Sequence, residues 1–401
     1  MTTTMGTPMA GAFAEPHARE RVRGGGEGGA SDFAWHAYVV VLAAVLVVTG
    51  LIWDISWHMS IGRDTFWTPA HLMLQAGGLL AGLASGALAA YVTFRGTPEE
   101  QSSAVWFWGF RAPFGAWVCV WGCGAMLTSA PFDDWWHNAY GLDVRIVSPP
   151  HVLLLIGMMS IVLGALLRSL ALQNGGGARA ARAAVLFDVS AGLLLALLGI
   201  LMLEWSNRSA MHAGDFYRAM AKGFPLLLAA VAVAGRSRWP ATTAAAVYTL
   251  LMAVTSWILM LFPATPKLGP IYQPITHYVP LEFPLLLIVP AFVMDLTWRR
   301  ARAWPWWKAA VAMGAAFLVP FALVQWPFAS FLMTHGRNWF FHTDNFVYWQ
   351  PPQYEKWHFI WRTPPAGDPP LAVHLPLALA YASLASAVGM AWGGWMSRVR
   401  R

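Results

Sequence analysis

Asp54, His58 and His71 are spaced to hold a metal ion, and the same arrangement recurs at Asp133, His137 and His151. In each set a carboxylate and an imidazole stand four residues apart, so on a helix they share one face, one turn above the other. A second imidazole follows at the mouth of the next apolar run. The flanks repeat as well: Gly62-x-Asp64 follows His58 at the offset at which Gly141-x-Asp143 follows His137. Thr68-Pro69 opens the run that carries His71, and Pro149-Pro150 opens the one that carries His151. Threonine at an N-cap and proline at the first helical position are start signals. Three donors of mixed imidazole and carboxylate type, with room for water, suit a catalytic transition-metal centre better than a closed structural one. Asp64 and Trp67 are expected as supporting residues, a carboxylate to orient an imidazole and a ring to keep water out. In the second set Asp134 is a spare carboxylate beside Asp133, and the spacing does not choose between them.

The elements that must position these residues read as membrane helices. Of 401 residues 57% are hydrophobic and only 11% charged, against roughly 25% charged in an ordinary soluble domain. Runs long enough to cross a bilayer, about 17 to 25 residues, recur near 36–53, 69–93, 104–128, 150–172, 183–204, 240–262, 276–298, 307–328 and 372–396. A shorter run near 218–235 makes a tenth. The expected fold is an all-α, polytopic integral membrane bundle of about ten transmembrane helices with both termini cytoplasmic. Nine spans would put the termini on opposite sides.

Basic residues favour ten. They cluster at Arg19, Arg21 and Arg23, at Arg168, Arg179 and Arg182, at Arg236 and Arg238, at Arg299, Arg300, Arg302 and Lys308, and at Arg398, Arg400 and Arg401. All these fall on one side of a ten-span chain, the cytoplasmic side by the positive-inside rule. The net charge of +7 is then a topology signal and argues against nucleic acid, because no basic stretch is interleaved with aromatics away from the span ends. Of twelve histidines, all but His17 and His36 fall at outer span ends or in outer loops, which for an inner, or plasma, membrane is the periplasmic or external face. Residues 1–34 read as a disordered cytoplasmic tail, residues 35–172 as a four-helix metal-binding region, and residues 173–328 as additional helices. Residues 329–370 read as an aromatic-rich outer cap, and residues 371–401 as the last helix with a basic tail.

The segment Trp57-His58-x4-Arg63-Asp64-Thr65-x2-Thr68-Pro69-x-His71, with Asp54 four before His58, resembles a metal-binding segment of the copper membrane monooxygenases, the particulate methane and ammonia monooxygenases. In that family the segment belongs to one of the membrane-embedded subunits. The resemblance covers roughly residues 35–172. It implies copper, one or two ions, with Asp54, His58 and His71 as one ligand set. It also implies a second, active ion at Asp133, His137 and His151, where the family has an asparagine in place of the aspartate. The implied activity is dioxygen-dependent hydroxylation of a small apolar substrate. The implied partners, besides the lipid bilayer, are a periplasmic cupredoxin-like subunit, other membrane subunits or further copies of the chain. Ligand type alone allows copper, zinc or iron. Two other readings stand beside this one: a membrane metal-binding or metal-transport protein, and a scaffold subunit of an oxidase complex. Transport needs a polar path to the cytoplasmic side, and the inner halves of the runs offer mainly Arg111 and Asp188.

Weaker candidates lie elsewhere. His212 with Asp215 is expected in a hydrated outer loop, and His277 as a buried, hydrogen-bonded histidine opening the eighth span. His335, His342, Asp344, Glu355 and His358 are candidates to line a lid over the metal sites. Cys119 and Cys123, the only cysteines, lie at membrane depth and indicate neither a disulfide framework nor a thiolate site. No Walker motif, dinucleotide fingerprint or Gly-x-Ser-x-Gly elbow is present.

Overall fold

Prolines and glycines divide the apolar sequence into helices. A computed structural model describes residues 34–141, 148–177 and 179–400. The expected tail, with His17 and Arg19, Arg21 and Arg23, and the Asp143 of the second motif lie outside the described residues. The helices are α1 (Ala34–Ser60), α2 (Pro69–Arg95), α3 (Pro98–Ser103), α4 (Phe114–Tyr140), α5 (Pro149–Gly175), α6 (Ala180–Leu201), α7 (Gly214–Ala234), α8 (Pro240–Leu259), α9 (Ile288–Ala301), α10 (Trp306–Thr334), α11 (Tyr354–Trp357) and α12 (Leu371–Met396). A two-stranded hairpin, β1 (Val105–Phe107) and β2 (Phe110–Ala112), precedes α4. Among the described residues eight helices are long and apolar enough to cross a membrane: α1, α2, α5, α6, α7, α8, α10 and α12. The chain is a multi-pass, all-helical membrane protein.

Two of the ten expected spans differ from the sequence reading. The run at 104–128 begins with the hairpin, and its helix, α4, starts at Phe114 and continues to Tyr140. The polar end of α4, with Asp133, Asp134, His137 and Asn138, keeps it out of the apolar set despite its 27 residues. The run at 276–298 is helical only from Ile288. Its first part belongs to an extended segment, residues 263–287, punctuated by Pro263, Pro266, Pro270, Pro274, Pro280 and Pro284. Prolines so closely spaced remove the amide donors that a helix needs.

Irregular backbone inside a membrane protein must find its partners in the protein. Here side chains supply them. Val279 donates its amide to Ser60 Oγ (2.8 Å) and accepts from Ser56 Oγ (2.7 Å). The Leu285 amide donates to Tyr248 Oη (3.0 Å) and the Leu286 amide to Gln325 Oε1 (3.0 Å).

The first half of the bundle is built from two tight helical hairpins. A Cβ on Gly77 of α2 would meet the Ala43 carbonyl oxygen of α1 at 2.8 Å, and one on Gly50 of α1 the Leu74 amide at 2.9 Å. Likewise Gly115 and Gly122 of α4 face the carbonyls of Gly164 and Gly157 of α5 at 2.8 and 2.9 Å. Small residues let helices approach this closely without a hydrophobic driving force between them. α1 also packs on α5, and α2 on α4, which makes the expected four-helix cluster. The main core lies in the second half, around Tyr217, Phe187, Phe224, Phe317 and Phe321.

Candidate metal centre

Each triad sits at the open end of one hairpin. Asp54 and His58 occupy the last turns of α1, and His71 the first turn of α2. Asp133 and His137 occupy the last turns of α4, and His151 the first turn of α5. α2 and α4 run antiparallel, since Gly82 faces Cys123 and Gly78 faces Met126. Seven residues beyond Gly78 is His71, and seven beyond Met126 is Asp133, about 10 Å along each axis. The two triads therefore share one end of the bundle.

In the first triad His71 Nε2 lies 3.0 Å from Asp54 Oδ1, and His58 Nε2 lies 4.0 Å from Asp54 Oδ2. In the second, His137 Nε2 lies 3.3 Å from Asp133 Oδ2 and His151 Nε2 lies 3.4 Å from Asp133 Oδ1. In each set three ligand atoms fall within 4.8 Å of one another. Donors on a tetrahedral ion with bonds of about 2.0–2.1 Å are about 3.3–3.4 Å apart. Asp54 Oδ1 and Asp133 Oδ1 are both shut off from solvent and hydrogen-bonded to nothing. Close approach without hydrogen-bond alignment is what donors converging on a common point produce, and a buried unsatisfied carboxylate oxygen is costly otherwise. The donor sets fit a metal ion.

Local structure fixes which nitrogen each ring offers. His71 Nδ1 lies 2.9 Å from the Thr65 carbonyl, and His137 Nδ1 lies 3.3 Å from that of Gly141. An Nδ1–H so engaged leaves Nε2 as the lone-pair nitrogen, turned into the site. Gly141 can offer its carbonyl there because it closes α4 at φ 93°. Ser148 caps α5 by accepting from the His151 amide (3.4 Å), which anchors the turn bearing that ring. Thr68 sits at the N-cap of α2, but its hydroxyl accepts from the Thr65 amide (2.9 Å) and not from the helix. It tightens the loop that presents Asp64. Trp57 Nε1 pins the same loop through the Arg63 carbonyl (3.0 Å).

The chain matches no protein-family model, no curated protein and no solved structure. The geometry carries the functional reading.

The structure also separates the two neighbouring carboxylates. Asp133 faces both imidazoles, whereas Asp134 is engaged by Asn138, whose Nδ2 donates to its carbonyl (2.9 Å) and to Oδ2 (3.3 Å). Trp67 is 72% exposed and turned away, so it does not shield the first triad. Phe132, Trp135, Trp136 and Tyr140 form a ring cluster beside the second, with Trp136 and Tyr140 centroids 4.5 Å apart.

The weaker candidates go elsewhere. His212 is stacked between Trp326 and Trp361, at 4.1 and 3.6 Å, and Asp215 pairs with Arg362. His277 is exposed beside Thr276, not buried at a helix start. Of the lid candidates, His335, Asp344 and Glu355 are exposed, and His342 is buried with Nδ1 2.8 Å from the Leu281 carbonyl. His358 reaches Gln350 (3.1 Å). None joins a triad among the described residues. The residue of this outer segment that does reach the first site's loop is Tyr348. It packs over Gly62, where φ is 82° and a Cβ would collide with the phenol. Ser56 and Ser60, which tie the last turns of α1 to the extended segment, are equally unmarked in the sequence. Their signal is the proline run at 263–284, which needs partners.

Proposed function

We propose that this chain is a membrane metalloprotein holding two metal ions, related in function to the metal-binding membrane component of the copper membrane monooxygenases. The observation that carries the proposal is the pair of converging two-histidine, one-carboxylate triads, each with a buried, unsatisfied carboxylate oxygen. Copper is the favoured ion, on the resemblance of the first motif; the donor types also accommodate zinc or iron. Asp133, His137 and His151 hold the active ion, and Asp54, His58 and His71 the second. Copper in such a site supplies dioxygen activation for the hydroxylation of a small apolar substrate. The chain's own residues bind and orient: Gly141 fixes the His137 tautomer, Ser148 sets the His151 turn, and the α4–α5 glycine seam holds Asp133 opposite His151. The aromatic cluster from Phe132 to Tyr140 gives the second site an apolar flank from which water is excluded.

The topology proposed is ten passes with both termini in the cytoplasm, which places both triads at the outer face of an inner, or plasma, membrane. α4 and the extended segment with α9 then complete the crossing. A cupredoxin-like subunit, other membrane subunits and further copies of the chain are the partners this reading implies. Metal transport is not favoured, since one inner carboxylate, Asp295, is engaged in capping α8 through the Ala241 and Thr242 amides. The test is incorporation of 18O from labelled dioxygen into small hydrocarbons by copper-loaded membranes. Product lost in His137→Ala supports the proposal; equal product from that variant contradicts it.

A further inference from the structure

The sequence suggests that Asp64 supports an imidazole from behind. The structure puts it elsewhere. Its Oδ2 lies 3.5 Å from His58 Nε2 and 3.4 Å from His71 Nε2. These match the about 3.3–3.4 Å edges of a tetrahedral site with bonds of about 2.0–2.1 Å, and they match the edges within the second triad. A supporting carboxylate would approach Nδ1, but on His71 that nitrogen faces the Thr65 carbonyl. Asp64 therefore approaches the same nitrogens that face Asp54. Its loop is held from several sides: Trp57 on the Arg63 carbonyl, Thr68 on the Thr65 amide, the Lys267 amide on the Ile61 carbonyl (2.9 Å), and Tyr348 over Gly62.

We propose that Asp64 is the fourth protein donor of the first centre, making it a two-imidazole, two-carboxylate site selective for a divalent over a monovalent cation. Two carboxylates neutralise a divalent ion, and hard oxygen donors disfavour monovalent copper, which prefers soft ligands. This rests on the first triad being a metal site, and the experiment separates the two claims. In a His137→Ala background, which removes the second centre, zinc(II), copper(II) and copper(I) are titrated into the detergent-solubilised full chain. The same is done with Asp64→Asn, Asp64→Glu and His58→Ala added.

With Asp64 as a donor, Asp64→Asn weakens both divalent ions at least about tenfold and leaves copper(I) within about threefold. Its copper(II) form gains an exchangeable water in deuterium-exchange pulsed electron paramagnetic resonance, and Asp64→Glu recovers divalent binding. Divalent binding kept in Asp64→Asn but lost in His58→Ala overturns the fourth donor alone. A background protein that binds none of the three ions overturns the centre itself, and the fourth donor with it.

Discussion

Gly157→Ala tests how the fold positions the second triad. The added Cβ would stand 2.6 Å from Met126 Cγ and 2.9 Å from both the Gly122 carbonyl oxygen and the Met126 amide nitrogen. Ordinary contact begins at 3.4 Å, so relief of the backbone clashes opens the α4–α5 seam by 3.4 − 2.9, or about 0.5 Å. The 3.3 Å edge between Asp133 and His137 lies within α4 and survives. The 3.4 Å edge between Asp133 and His151 crosses the seam. Opening it takes His151 from a bonding distance of about 2.0–2.1 Å to about 2.6 Å. Overpacking of this kind costs about 1–3 kcal/mol. Metal that binds only the closed seam loses up to that amount, about 5- to 150-fold in affinity. The assay is metal retained by purified protein after dialysis against graded chelator. Gly124→Ala, on the neighbouring helix α4 with nothing within 4 Å of its Cβ, is the control. Gly157→Ala is expected to lose the second ion at lower chelator than either control or parent, while the first ion stays. Retention equal to the parent would refute the reasoning, and equal loss of both ions would refute its locality.

Asp133→Ala removes the second ion, whereas Asp134→Ala leaves it within about threefold, since only Asp133 faces the imidazoles; elemental analysis of both variants decides. Gln325→Leu strands the Leu286 amide at a fully buried position and costs about 1–3 kcal/mol, read as a lower thermal midpoint in detergent; an unchanged midpoint contradicts the role given to Gln325. His342 is neutral in the folded chain, because burial holds it down to about 4 from an ordinary 6.5. The unfolded segment takes up a proton first on acidification, so the stability His342 contributes is complete above pH 6.5 and is lost as pH falls towards 4. The full effect is about 3 kcal/mol, visible as faster hydrogen exchange of residues 335–370 at pH 5 than at pH 7 after correction for intrinsic rates. His342→Gln is expected to flatten that difference, and a difference unchanged in the variant would count against the assignment.

Both triads are legible in the sequence because helical spacing fixes faces: an Asp and a His four apart cannot diverge on a helix. The return of His71 and His151 follows from short loops that force antiparallel neighbours. Asp64 is visible only as a repeat of the Gly-x-Asp offset, and its position depends on a loop conformation set by Trp57, Thr68 and Tyr348, the last almost three hundred residues away. Hydropathy fails at 276–287 because apolar content does not distinguish a helix from a buried extended strand; Pro280 and Pro284 hold that information. It also misplaces α4, whose apolar run starts in a hairpin and whose helix continues into the polar turns that bear the ligands. Composition suggests a lid over the metal sites for the aromatic outer segment, yet its histidines are spent on local contacts such as His342 to Leu281.

The central claim, two separate metal centres at one end of the bundle, is tested most directly by elemental analysis of the detergent-purified protein beside His58→Ala and His137→Ala, with electron paramagnetic resonance on the same samples. Two ions per chain, one lost in each single variant and both in the double, is the expected result. Protein that is metal-free and takes up no added copper, zinc or iron would contradict it and leave only the helical membrane fold.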